Sequence, residues 1–184
     1  MTVHLRPAQT FDAEFAAPLI QEAIGAIGHH LTGTDNDTDA AHVIAQFFVL
    51  RGNRLSFTNV LVAEAQGQRV GLALVYPGEL AHALDDPFRQ HRRSLGLSPE
   101  VVSEAQAGEF YLDTLATLPA VRGQGIGAAL LGACFARAQS LGLPLTLLVE
   151  DGNPARRLYE RSGLTEVGRR ELAGHSYARM ERRA

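Results

Sequence analysis

Residues of three kinds in this chain have types and spacings that can do chemistry. Arg122-Gly123-Gln124-Gly125-Ile126-Gly127 is a glycine loop with an arginine at its mouth. It follows Phe110 to Leu118, an apolar and β-compatible stretch suited to a largely buried strand, which Pro119 ends because it cannot donate to a ladder. It precedes helix-forming residues in which Ile126, Leu130, Cys134 and Ala138 recur every fourth position. The first turn of such a helix has N–H groups without partners, and the macrodipole adds about half a positive charge there. Glycines without Cβ let a bulky polyanion such as a pyrophosphate approach the backbone, and Arg122 adds charge at the rim. The plainer alternative is a glycine-rich turn into an ordinary helix. Three alternating glycines beside an arginine at a strand's mouth argue against it. Tyr159 is a phenol, protonated at neutral pH with an ordinary pKa of about 10, and can donate to a developing anion. A packing tyrosine is the plainer reading. Asp113 lies in the strand, on the same face by alternation as Leu115 and Thr117, with Glu109 nearer the strand's start. A partly buried carboxylate can acquire a raised pKa suited to base work. For Asp113, a bond to a neighbouring loop or recognition of an amine is equally open.

Two patterns compete for the polyanion. Gly123-Gln124-Gly125-Ile126-Gly127-Ala128 satisfies the dinucleotide fingerprint G-x-G-x-x-A, and Glu150, about twenty residues on, could be the ribose-binding acid. In that fingerprint, however, the first glycine follows its strand almost at once. Here Pro119 to Arg122 intervene, and 34 residues after Glu150 are too few for the rest of a doubly wound domain. The second pattern is Arg-x-x-Gly-x-Gly, at Arg122, Gly125 and Gly127. The stretch Leu-Ala-Thr-Leu-Pro-Ala-Val-Arg-Gly-Gln-Gly-Ile-Gly resembles the central signature of the GCN5-related N-acetyltransferase (GNAT) superfamily, with Thr117 in place of its usual valine.

A second segment strengthens that resemblance. Asn153-Pro154-Ala155-Arg156-Arg157-Leu158-Tyr159-Glu160-Arg161-Ser162-Gly163-Leu164 is similar to the superfamily's Asn-x-x-Ala-x-x-Leu-Tyr-x-x-x-Gly-Phe. Leu164 replaces the final aromatic, and Ala155 stands one position early. The resemblance covers about residues 58–170. It implies acetyl-CoA as co-substrate, held by Arg122, Gly123, Gln124, Gly125, Ile126 and Gly127 and by free backbone groups near Leu115, Ala116 and Thr117. It further implies Asn153 on the cofactor arm and Tyr159 as the donor to the departing thiolate. Asp113 stands where many members have a carboxylate acting as base, directly or through water. The implied reaction is N-acetylation of a small-molecule or peptide primary amine by direct attack in a ternary complex, with no metal. Homodimers are common in the superfamily, though no interface is read from this sequence. A non-catalytic acyl-CoA sensor on the same scaffold and a nucleotide-dependent oxidoreductase are the alternatives.

The elements that must position these groups follow from composition and pattern. The 184 residues suit one domain, and a chain of this size buries about 70% of its unfolded surface without staples. Hydrophobic content of 46%, charged content of 20% and a net charge of −3 without a basic block disfavour nucleic acid. All 17 basic side chains other than histidine are arginine. No apolar run approaches a membrane span and the N-terminus lacks a secretory core, so a cytoplasmic protein without a membrane partner is expected. The single cysteine, Cys134, reads as a small core hydrophobe. His29, His30, Asp35, Asp37, Asp39 and His42 fit no compact zinc spacing, and contact with the acceptor is the better use for them.

The expected fold is α/β of the α+β kind: a single GNAT-like domain with a mixed, mostly antiparallel twisted sheet flanked by helices. Val3–Arg6 is a strand, and Asp12 caps a helix to about Ile27. Gly28–Asp37 is a polar loop, and Thr38 or Asp39 caps a helix through Leu50. Thr58–Ala65 and Arg69–Tyr76 form a hairpin. Residues 79–108 form a helical insertion before the central strand and could cover the active site. Asp85-Asp86-Pro87 is a turn or new helix start there, and Ser98-Pro99 opens another helix. Beyond the glycine-loop helix come a buried strand at Leu145–Val149, a helix at Ala155–Arg161, and a closing hairpin around Ala173-Gly174.

Overall fold

The computed structural model describes residues 2–172 and 174–183; Ala173, in the expected closing turn, lies outside the described residues. Strands β1 (Val3–Pro7), β2 (Val60–Ala65), β3 (Gln68–Pro77), β4 (Phe110–Thr117), β5 (Leu145–Glu150), β6 (Thr165–Leu172) and β7 (His175–Arg182) form one sheet in the order β1-β2-β3-β4-β5-β7-β6. Every pairing is antiparallel except β4 with β5. One parallel pair in seven strands is not the doubly wound sheet that the dinucleotide reading of Glu150 requires.

Helices α1 (Ala13–Ile24), α2 (Ala26–Thr32), α3 (Asp37–Phe48) and α4 (Ala81–Ser94) belong to one face of the sheet. Ile20, Ile44, Phe48 and Phe88 pack there with Leu72, Leu74 and Tyr111. Helix α5 (Ile126–Ser140) covers the other face, where Ile126, Leu130 and Cys134 meet Val75, Leu112 and Leu147, with Tyr159 from the short α6 (Arg156–Arg161). Cys134 is a buried core residue, and burial pushes its thiol up to about 12. Strand β3 is buried on both faces from Val70 to Tyr76 because it sits between β2 and β4 under both helical layers.

Several local expectations give way to tertiary demands. The first helix breaks at Gly25, whose φ of +50° suits glycine, and α2 follows where a polar loop was expected. The Gln21 amide holds the break by donating to the Gly25 carbonyl at 3.0 Å and to Asp37 Oδ1 at 3.0 Å. Asn36, rather than Thr38 or Asp39, caps α3, accepting from the Asp39 N–H at 2.9 Å. The hairpin turn is Gln66-Gly67, both at positive φ.

Within residues 79–108, Asp85-Asp86-Pro87 lies inside α4. Burial of Phe88 and the ion contacts of Asp85 hold the helix through its proline. No helix follows Ser98-Pro99. That segment runs irregularly because Val101 and Ala105 dip into the core. Arg89 donates to the Val101 carbonyl and Arg170 to those of Ser103 and Glu104. The segment is thus packed into the domain through these contacts.

The central position of β3 makes a size test informative. Leu74→Ala removes a fully buried side chain and is expected to lower the unfolding free energy by about 2–5 kcal/mol, read from denaturant melts.

Candidate active site

The site begins with a miscount between strands. Leu112 pairs with Val75 and Thr114 with Leu74, so Asp113 is the extra residue of a β-bulge. The bulge shifts the alternation. Leu115 pairs with Ala73 on the α5 face, whereas Asp113 lies on the opposite face beside Tyr76 and Arg54. The expectation that Asp113 shares a face with Leu115 and Thr117 is therefore corrected, because strict alternation holds only without a bulge. Below the bulge β4 pairs with β5 over Phe110–Leu112 and Leu145–Leu147 alone. From Asp113 to Thr117 the edge of β4 toward β5 has no strand partner, and Leu115, Ala116 and Thr117 lie along this opening.

The glycine loop stands at the end of that edge. Gly123 at φ +79° and Gly125 at φ +85° occupy the left-handed region that only glycine enters freely. Gly125 is the N-cap of α5 and no side chain caps the helix. The first bond of the helix runs from the Ala129 N–H to the Gly125 carbonyl at 3.0 Å. The N–H groups of Gly123, Gly125, Ile126, Gly127 and Ala128 have no acceptor among the described residues. Gly127 serves packing as well, since a Cβ there would lie 3.1 Å from Leu158 Cδ2 on α6. Ile126 is buried beneath the loop. Gln124 donates to the Ala120 carbonyl at 3.4 Å. Arg122 is half-exposed and pairs with Glu22 of α1 at 2.9 Å.

Helix α6 enters from the β5 side. Asn153 Oδ1 accepts from the Ala155 N–H at 2.9 Å, an Asx turn that starts the helix and leaves the side-chain amide exposed. Tyr159 is buried in the α5-face cluster, and its hydroxyl has no hydrogen-bond partner among the described residues. Burial pushes the phenol up to about 12, so it keeps its proton at neutral pH.

Asp113 belongs to a buried ionic cluster that the sequence did not reveal. Arg54 donates to Asp113 Oδ2 from Nε at 3.0 Å and from Nη2 at 2.5 Å. It also donates to Glu104 Oε1 at 2.6 Å and lies 3.5 Å from Asp85 Oδ1. Tyr76 donates to Asp113 at 2.9 Å, Tyr111 to Glu104 at 2.8 Å, Thr114 to Asp113 at 3.0 Å and Ser103 to Asp85 at 2.6 Å. Three carboxylates thus face one guanidinium. Burial opposes the Arg54 charge, but Asp113 and Glu104 outweigh it and hold the group protonated. Burial pushes Asp85 and Glu104 above the ordinary carboxylate range. No sequence pattern marks Arg54, since the bulge that aims Asp113 at it is a pairing property. Glu109 is not brought to the opening. It lies roughly 13 Å along the strand from Asp113, accepting from the Gln106 N–H at 2.7 Å and ion-paired with Arg179.

The histidines between the first helices are dispersed in their bonding. His29 meets Asp37 at 2.8 Å, His30 meets the Glu100 carbonyl at 2.7 Å, and His42 meets Gln46 at 3.2 Å. His29, His30, Asp35 and Asp39 line a surface cavity of about 580 Å³ with Arg92 and Leu97, away from the β4 opening. Among the described residues, no three His, Cys, Asp or Glu side chains are grouped to hold a metal. No helix among them is long and apolar enough to cross a membrane.

The raised carboxylates give the cluster a pH signature. A carboxylate with a raised folded pKa binds its proton more tightly in the native state. Its stabilisation is full below about 4.3, the ordinary Glu value, and is lost as pH rises through the folded pKa. Thermal melts across pH are expected to show stability falling upward from that point. Glu104→Gln, which keeps a neutral side chain of the same shape, is expected to flatten the fall.

Comparison with known proteins agrees with this geometry. The family model described as acetyltransferase (GNAT) family matches residues 32–164. A solved structure described only as an acetyltransferase is 29% identical, with 98% of each chain covered and a TM-score of 0.77. The N-acetyltransferase from Staphylococcus aureus Mu50 is 22% identical over 97% of this chain and all of its own, with a TM-score of 0.81. PaiA N-acetyltransferase from Thermoplasma acidophilum, solved in complex with coenzyme A, is 14% identical over the full length of both chains, with a TM-score of 0.60. No curated protein sequence matches. The family match spans most of the chain, including the β4 opening, the glycine loop and Tyr159, and the chain belongs to the acetyltransferase (GNAT) family.

Proposed function

We propose that this protein moves an acetyl group from acetyl-CoA to a primary amine of a small molecule or peptide, by direct attack within a ternary complex. The observation that carries the reading is the unpaired β4 edge leading to the uncapped first turn of α5. An extended arm with amide groups can add to such an edge as a strand does. A pyrophosphate at its end meets the free N–H groups of Gly123 and Gly125–Ala128 and the positive end of the helix. Arg122 reaches the same anion by leaving Glu22, and an exposed pair of this kind is weak. The coenzyme A held by the Thermoplasma protein supports the choice of carrier.

In this reaction the amine nitrogen attacks the thioester carbon, the C–N bond forms and the C–S bond breaks. Tyr159 gives its proton to the leaving sulfur, which suits a hydroxyl that no protein group engages on a ring buried in the core. The exposed Asn153 amide contacts the arm. Asp113 and Glu109 enter as structural carboxylates. Both Asp113 oxygens accept hydrogen bonds, so with Arg54 it fixes the wall of the opening, and Glu109 anchors the start of β4. The reading extends to one catalytic domain over residues 1–184, acting in the cytoplasm alone or as a homodimer, without metal, membrane or nucleic acid.

Calorimetric titration is expected to show micromolar binding of acetyl-CoA and none of NADH, with binding lost in Arg122→Glu. Binding of NADH alone would overturn the proposal, and acetyl-CoA binding without transfer to any amine would make the protein a sensor. Tyr159→Phe is expected to lower kcat about 100-fold with KM for acetyl-CoA little changed. Undiminished turnover would remove Tyr159 from the mechanism.

A further inference from the structure

The mechanism above leaves one proton without a destination, because an amine acceptor is an ammonium ion at neutral pH and cannot attack until it loses a proton. Neither Asp113 nor Glu109 offers a free oxygen for it.

In β5, Leu145, Leu147 and Val149 point into the α5-side core, so Thr146, Leu148 and Glu150 point to the opposite face, the face of Asp113 and Tyr111. Glu150 pairs with Tyr177 of β7, and Tyr177 with Arg170 of β6, placing all three on that face. Glu150 is three residues beyond Leu147, the last β5 residue to pair with β4, and so stands where the two strands have parted. His175 is two residues before Tyr177, with the same facing, and its ring reaches Glu150. Nδ1 lies 2.6 Å from Glu150 Oε1. A carboxylate only accepts, so in the neutral imidazole Nδ1 carries the hydrogen and Nε2 carries the lone pair. Nε2 has no partner among the described residues, and the side chain is half exposed. A carboxylate that fixes the tautomer and orientation of an imidazole, leaving its other nitrogen open, is an arrangement suited to general-base work.

From this we propose that His175 is the base that deprotonates the acceptor amine and that Glu150 is its positioning residue. The inference rests on the acetyltransferase reading. His175 Nε2 takes one proton from the ammonium. The freed amine attacks the thioester carbon, and the C–S bond breaks as sulfur receives the Tyr159 proton. One of the two protons then on the acylated nitrogen passes to the Tyr159 oxygen, the other stays on the product amide, and His175 releases its own to solvent, to which its exposed side gives access. The titratable and charged groups on this face near the imidazole are Glu150 on β5, Tyr177 on β7 and Arg170 on β6, and the charge of Glu104 in the 95–109 segment acts on Tyr177. Burial, with Glu150 and Glu104 adding, pushes the Tyr177 phenol up, so it stays neutral beside the base.

The test uses the full chain, acetyl-CoA and three acceptor probes: benzylamine, 1,4-diaminobutane and triglycine. Wild-type activity toward at least one probe is measured as kcat/KM across pH, alongside His175→Ala and Glu150→Gln. The expected result for His175→Ala is a 100-fold or greater loss at neutral pH, a rate that climbs with pH without the wild-type plateau, and partial rescue by added imidazole. Acetyl-CoA affinity by calorimetry and the melting temperature should be unchanged. Glu150→Gln is expected to lose roughly 10-fold and shift the profile. Retention of rate within threefold and of the wild-type pH profile by His175→Ala would overturn the assignment while leaving the acetyltransferase reading intact. Failure of the wild-type protein to bind acetyl-CoA or to acetylate any probe would overturn both.

Discussion

Asp113 is present at the opening because β4 holds one residue more than β3 can match, and that surplus drives a carboxylate beneath the helical layer. A buried carboxyl group needs a polar partner, and Arg54 supplies it from the segment before β2. Removing one member of such a pair costs about 3–5 kcal/mol, because the other charge is left uncompensated in a poorly solvated place. The same guanidinium gathers Glu104 and Asp85, so one arginine joins the helix α4, the irregular segment after it and the central strand. The bulge also turns β4, and the strand separates from β5 just beyond it. The opening and the ionic cluster are therefore two consequences of one pairing irregularity.

The divided sheet assigns different chemistry to its two faces. On the α5 side, the opening meets uncapped N–H groups, an arginine and a buried, protonated phenol. These are donors and positive ends, suited to phosphate and thiolate. On the opposite side lie the carboxylates bound by Arg54 and, at the end of β5, a histidine held by Glu150. In the transfer proposed above, such a separation gives the polyanionic donor one side of the strand gap and leaves the other to the amine.

Residues 95–109 show why a segment without regular structure can still be fixed. Its carbonyls are taken by His30, Arg89 and Arg170, from three different elements, and Val101 and Ala105 sit in the core. Its helix-start signal at Ser98-Pro99 survives only as a 3.4 Å bond from the Glu100 N–H to the Ser98 hydroxyl. Side chains reaching from outside take these carbonyls, the acceptors that a helix would otherwise use.

The sequence by itself determined the features that depend on near neighbours along the chain. Glycines at 123, 125 and 127 between an apolar strand and a good helix specify the loop, because only glycine enters the left-handed region freely there. The turn at Asn153-Pro154, the hairpin through Gln66-Gly67 and the buried run of β5 follow from the same local logic, whereas the part given to Tyr159 came from the family resemblance. What the tertiary structure alone decided depends on which strand meets which. Alternation cannot foresee a bulge, so the face of Asp113 was legible only once Leu112 and Thr114 were seen opposite Val75 and Leu74. Arg54 lies 59 residues from Asp113, and Glu150 lies 25 residues from His175. Charges that far apart in the chain carry no periodic mark, and only the register of the sheet sets their distance.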